Sequence, residues 1–176
     1  MKKFELTSEF VTFLGKTLFR IKALVSFGDV AKGELGGFIE REDNLDQSGD
    51  AWVCGNAQVF GNARVYGDAK VFGNARVSGN AWVCGNARVY GDAKVFGNAW
   101  VQNCRDYSAT SCFGSKNRTT TFFRTKDGGI SVRCGCFYGT LREFREKVKE
   151  RHGDSRLAKE YLMLADLMEF RLSKDE

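Results

Sequence analysis

The chain has 176 residues with 20 glycines and no proline, where an average composition of roughly 5% proline would give about nine. With 43% apolar and 28% charged residues it is neither disordered by composition, nor collagen-like, nor proline-rich, and no apolar run approaches the ~18 residues of a membrane span. The net charge of +5 divides as −1 over residues 1–48, +2 over 49–102 and +4 over 103–176, so no segment is a polybasic arm.

The start, MKKFELTSEFVTF, has two lysines but then meets Glu5, Thr7, Ser8 and Glu9, which interrupt the apolar core a signal peptide needs. The six cysteines are therefore expected to be reduced thiols in a cytoplasm. Residues 4–24 read as a hairpin: FELTSEFVTFL, a turn at Gly15-Lys16, then TLFRIKAL, and residues 1–36 are assigned to an N-terminal β cap. FGDVAKGELGGFIE (27–40) is rich in glycine, yet no helix follows to offer its N-terminus to a phosphate and no lysine with a following Ser or Thr completes a Walker pattern. Its glycines are read as bends leading into a first coil. Ile39 and Leu45 are placed at the alanine position of a degenerate coil beginning near Leu35.

From Gly49 to Gln102 the chain is nine hexads without insertion: Gly, Asn or Asp, Ala, a variable residue, Val, a variable residue. The alternating Ala-x-Val-x stretch has the period of a strand, with Ala and Val on one face and the variable residues on the other. Gly followed by Asn or Asp tolerates positive φ, so each strand ends in a sharp bend. Three strands make one triangular coil of 18 residues, and stacked coils pair their backbones at ~4.8 Å. A proline would remove a hydrogen bond the next coil needs, so the two anomalies of composition share one cause.

Val53 to Ala57, Val59 to Ala63 and so on through Val95 to Ala99 repeat an aliphatic residue followed four positions later by a small one. On this pattern the sequence resembles the hexapeptide-repeat family. The resemblance implies a mainly β fold, a left-handed parallel β-helix over residues 37–118, and a homotrimer packed around a three-fold axis.

Stacking at 18 residues sorts the outward positions into three faces. All eight aromatics of the repeat, including the three tryptophans of the chain, point away from the coil interior. Tyr66, Trp82, Trp100, Phe72 and Tyr90 are expected to form a subunit interface or stacking surface, with the terminal segments covering part of the rest. Like charges stack, Lys70 over Arg88 and Arg76 over Lys94, with Asp68 and Asp92 at nearby corners as the expected compensation. GNARVYGDAKVFGNA occurs identically at 61–75 and 85–99, an offset that is not a whole number of coils. A catalytic face would not tolerate that rotation, so the repeat reads as scaffold.

After Gln102 the phase decays. Tyr107 and Phe113 still hold the valine position, which suggests one irregular coil closing the solenoid by residue 118. Residues 119–176 form a C-terminal module. TTTFFR (119–124) and ISVRCGCF (130–137) read as a β-hairpin, Thr140 with Glu143 as a capping box for a helix to His152 ended by Gly153, and Ser155 as the start of a second helix to about Leu172. The combination of FGDVxxGxLGGFIE, GNAxVxGDAxV and CGCFxGTLxEF is similar to a group of phage and prophage hexapeptide-repeat proteins, and that resemblance implies no enzymatic activity. It implies instead a protein working in a host cytoplasm.

Hexapeptide-repeat acyltransferases use a coil histidine as general base, and the carbonic-anhydrase branch needs three histidines around zinc. The repeat has none, and His152, at a helix end, is read as a capping residue. Cys104, Cys112, Cys134 and Cys136 lack zinc-knuckle spacing and are read as buried thiols of the cap. No catalytic residue, metal or cofactor is assigned. Basic residues gather in the C-terminal part with aromatics between them, and Arg105, Arg118, Phe122, Arg124 and Arg133 are the candidate ligand-binding residues. The expected function is a non-enzymatic homotrimeric binding protein that sequesters a nucleotide-like small molecule or binds a host defence protein. A hexapeptide-repeat acyl or nucleotidyl transferase and a structural particle component are the alternatives; nucleic acid and membrane are not expected partners.

Overall fold

The structure is a computed structural model and describes residues 2–173. The chain divides between Cys104 and Arg105 into two compact units.

The first unit opens with a hairpin of β1 (Phe4–Phe13) and β2 (Lys16–Ala23), turned at Leu14 and Gly15, followed by β3 (Leu35–Ile39). Nine two-residue strands follow in step with the hexads: β4 (Trp52–Val53), β5 (Gln58–Val59), β6 (Arg64–Val65), β7 (Lys70–Val71), β8 (Arg76–Val77), β9 (Trp82–Val83), β10 (Arg88–Val89), β11 (Lys94–Val95) and β12 (Trp100–Val101). They pair in parallel at the 18-residue offset: β4-β7-β10, β5-β8-β11 and β6-β9-β12. The result is a β solenoid whose interior is the stacked Ala and Val rungs, every one of them without exposure from Ala51 to Val101. At each corner the glycine adopts positive φ, and from Gly49 to Gly79 it lies against the corner glycine of the next coil. Gly79 shows both demands at once: its φ is +70°, and a Cβ there would sit 2.8 Å from the Gly97 nitrogen.

The hairpin extends one face of the solenoid. β2 pairs antiparallel with β3, and β3 pairs in parallel with β5, giving a six-stranded sheet β1-β2-β3-β5-β8-β11. Here the expected phase is corrected. Ile39 pairs with Val59 and Leu45 bridges Val65, so both occupy the valine rung and not the alanine rung. From Leu45 to Val53 the chain runs two residues longer than one hexad, and that excess loops out around Lys3. The Lys3 ammonium donates to the carbonyls of Ser48 (3.2 Å), Gly49 (3.2 Å) and Ala51 (3.0 Å), while the Gln47 side-chain oxygen accepts from the Lys3 backbone N–H (2.8 Å). Burial of the ammonium lowers its pKa from 10.5 to about 8.

The N-terminal segment also covers two outward aromatics of the repeat. Trp52 is buried beneath Phe4 (6.4 Å between ring centroids) and Phe27 (5.4 Å), and Phe60 is buried beneath Phe13 (5.6 Å). The compensation of stacked cations comes from the same segment and not from the corner aspartates alone: Lys70 pairs with Asp29, and the Arg76 guanidinium lies over the Phe13 ring at 4.1 Å.

The second unit is an antiparallel sheet, β13 (Tyr107–Phe113), β14 (Arg118–Arg124), β15 (Ile130–Cys134) and β16 (Phe137–Thr140), in chain order. Residues 107–113, read from the sequence as part of a closing coil, are instead its first strand, with Tyr107 opposite Phe123. Helices α1 (Leu141–His152) and α2 (Arg156–Leu172) pack on it through Phe122, Val132, Phe144, Val148, Tyr161 and Ala165. Thr140 caps α1 as a capping box, its hydroxyl accepting from the Glu143 N–H at 3.2 Å while the Glu143 carboxylate accepts from the Thr140 N–H at 2.7 Å. Gly153 ends the helix at φ +54°, and Ser155 caps α2.

Candidate functional site

The second unit contains a cavity of about 530 Å³, within the usual range for a small-molecule site. Three local features build it. The β13–β14 turn passes through positive φ at Gly114 and Asn117 and carries Lys116, with Arg118 opening β14; the tight β15–β16 turn carries Gly135 and Cys136 after Cys134, the last residue of β15; the last two turns of α1 carry Lys147, Arg151 and His152. The i, i+4 spacing of Lys147 and Arg151 places both on one helix face beside Phe144 and Val148.

The walls are apolar and aromatic. Tyr161 is the centre: its ring meets Phe113 at 5.5 Å and Phe144 at 5.8 Å edge-on, and the His152 ring stacks on it at 5.8 Å. Its hydroxyl accepts from the Ser115 N–H at 3.2 Å, and burial, with the adjacent Cys134 thiol adding to it, raises its pKa above the ordinary tyrosine value. The Cys134 sulfur in turn accepts from the Thr120 hydroxyl at 3.2 Å. The lining includes no carboxylate. Lys147 is paired with Glu150 at 2.9 Å, but Lys116, Arg118 and Arg151 make no ion pair among the described residues. Three uncompensated cations thus face an aromatic cavity, an arrangement suited to an anion attached to a planar group.

The sequence-derived ligand residues do not converge there. Arg118 lines the cavity. Phe122 is completely buried, edge-on to Phe144 at 5.8 Å, and is a core residue rather than a ligand contact. Arg124 is a structural tie, donating to the carbonyls of Leu172 (2.7 Å) and Ser173 (2.8 Å) and pairing with Asp106 (3.2 Å). Arg133 donates to the Cys136 carbonyl at 3.3 Å beside the cavity, and Arg105 is exposed at the start of the unit. His152 is a cavity wall as well as a helix end. The cysteines are not the buried set expected: Cys104, Cys112 and Cys136 are exposed and Cys134 is half-buried. Among the described residues no three His, Cys, Asp or Glu side chains gather as metal ligands.

The uncovered aromatics of the solenoid make a second feature. Tyr66 meets Trp82 edge-on at 6.0 Å, Trp82 is in register with Trp100, and Phe72 stacks on Tyr90 at 5.3 Å. Trp82, Trp100 and Tyr90 are exposed, and Tyr66 and Phe72 are half-buried. Burial, with a hydrogen bond to Cys84, pushes the Tyr66 hydroxyl up to about 12. No helix among the described residues is long and apolar enough to cross a membrane.

No curated protein matches the chain. The family described as YdcK Beta solenoid repeat matches it twice, over residues 57–71 and 69–85. Those residues carry β5 to β9, successive strands around the coils, so this part of the chain is similar to the β-solenoid repeat of YdcK type.

Proposed function

We propose that this is a non-enzymatic binding protein in which the solenoid is the scaffold and the C-terminal unit holds the ligand. The ligand is an anionic small molecule with a planar ring, of the nucleotide kind. One observation carries this: Lys116, Arg118 and Arg151 converge, without carboxylate partners, on a cavity walled by Tyr161, Phe113, Phe144 and His152. The half-buried rings of Phe113 and His152 provide a stacking surface, backed by the buried Tyr161 and Phe144, and the cations a phosphate seat. The exposed ladder of Trp82 and Trp100, with the exposed Tyr90 on a second face, supports the second part of the reading, a homotrimer in which copies cover these faces. The resemblance to phage and prophage hexapeptide-repeat proteins supports a host cytoplasm as the setting and a left hand for the solenoid.

Calorimetry with a panel of mononucleotides, cyclic nucleotides and ADP-ribose tests the proposal, alongside native mass spectrometry of protein taken from cells. At least one member of the panel binds, its affinity falls with salt, and Arg118→Glu or Arg151→Glu weakens it by roughly tenfold or more. Absence of binding across the panel with an empty protein in the mass spectrum overturns the nucleotide reading.

A further inference from the structure

Helix α2 is apolar on two opposite sides. Its inner side, Ala158, Tyr161, Ala165, Met168 and Leu172, is buried on α1 and the sheet. At 3.6 residues per turn Met163, Leu167 and Phe170 fall about half a turn away from that stripe, and they are 71%, 57% and 84% exposed. A helix apolar on both sides is ordinarily covered on both. The outer residues are spaced four and three apart, the spacing of a coiled-coil seam, in which Leu167 takes an a position and Met163 and Phe170 take d positions.

The charges beside this seam say what covers it. Asp166 flanks it on one side and Arg171 on the other, five residues later, at g and e positions. The Asp166 side chain is 70% exposed although it accepts from Arg145 at 2.6 Å, and Arg171 makes no ion pair among the described residues. When two copies of α2 lie parallel and in register, each g residue faces the partner's e residue five positions on, so Asp166 of one copy meets Arg171 of the other. An antiparallel pair centred on Leu167 brings Asp166 against Asp166 instead. We infer that the outer face of α2 is a self-association surface whose occupant is α2 of a second copy of this chain, parallel and in register.

The inference is independent of the ligand cavity, whose residues do not include this face. Sedimentation velocity of the full-length protein over a range of concentrations tests it, with far-UV circular dichroism as the check on folding; glutamate is a good helix former, so helix content is retained. Leu167→Glu with Phe170→Glu lowers the association constant by roughly a hundredfold or more. Arg171→Glu alone weakens association, and combining it with Asp166→Lys restores it. A wild-type protein that remains a monomer, or a Leu167→Glu, Phe170→Glu variant of unchanged mass, overturns the surface. Failure of the paired charge reversal to restore association overturns the parallel register.

Discussion

Gly114 lies directly against the Tyr161 hydroxyl: a Cβ at position 114 would sit 1.7 Å from the tyrosine oxygen and 2.3 Å from the ring carbon bearing it. Gly114 is also at φ +73°, so an alanine there meets backbone strain and collision together. Gly114→Ala is expected to lower stability by about 2 to 4 kcal/mol and to weaken nucleotide binding, because Tyr161 can move only into the cavity or the core. Thermal melts in a double-mutant cycle separate the two costs. Paired with Tyr161→Ala the collision disappears and only the strain remains, so additive losses would disprove the proposed contact.

Lys3 gives a pH dependence with a definite sign. Burial places its folded pKa at about 8, below the ordinary 10.5, so between these values the unfolded chain binds a proton that the folded chain has released. Stability from this group therefore rises with pH through that window and is lowest below 8. Denaturant unfolding of wild type and Lys3→Met at pH 7.5, 9 and 10.5 should show the wild-type advantage growing with pH. A constant difference would mean that the ammonium stays charged in the fold. The measured quantity is this trend, since the variant also loses three donors to the Ser48, Gly49 and Ala51 carbonyls and is less stable throughout.

Two corner glycines separate backbone strain from crowding. Gly91 (φ +66°) has no atom within 4 Å of a Cβ position, whereas at Gly79 (φ +70°) the Gly97 nitrogen is 2.8 Å away. Gly91→Ala should cost about 1 to 2 kcal/mol for the left-handed conformation alone, and Gly79→Ala distinctly more. Gly91→Asn should recover part of the loss, because asparagine tolerates this conformation. Equal costs at the two corners, measured by chemical denaturation, would show that the coils can separate enough to admit a methyl group.

The solenoid was legible because its determinants are local. Each hexad carries its own strand, corner and rung, and Ala and Val repeat without a gap. The phase failed at Ile39 and Leu45 because the two extra residues before Val53 carry no punctuation of their own; their loop is shaped by Lys3, more than forty positions away in sequence. Tyr107 and Phe113 misled for a related reason. A two-residue alternation fits a parallel rung and an antiparallel strand equally, and only the partner, β14, distinguishes them. The cavity was the least visible feature. Arg118 and Arg151 are far apart in sequence and meet only because α1 packs across the sheet, while Phe122, named for its basic neighbours, alternates inward into the core.

Trp82 and Trp100 occupy equivalent positions in successive coils, so a partner covering one covers the other, while the neighbouring Val83 and Val101 point into the buried interior. Replacing both by arginine leaves the interior untouched, and each corner keeps its glycine. Far-UV circular dichroism should therefore change little, while the melting temperature falls modestly because Trp82 gives up its contact with Tyr66, at a cost of about 1 kcal/mol. If the ladder is the trimer surface, native mass spectrometry of Trp82→Arg with Trp100→Arg shows loss of the trimer that wild type shows, because two buried cations per subunit replace the strongest apolar anchors of the face. A variant that remains trimeric places the three-fold contact on another face, and Phe72 with Tyr90 becomes the next pair to substitute.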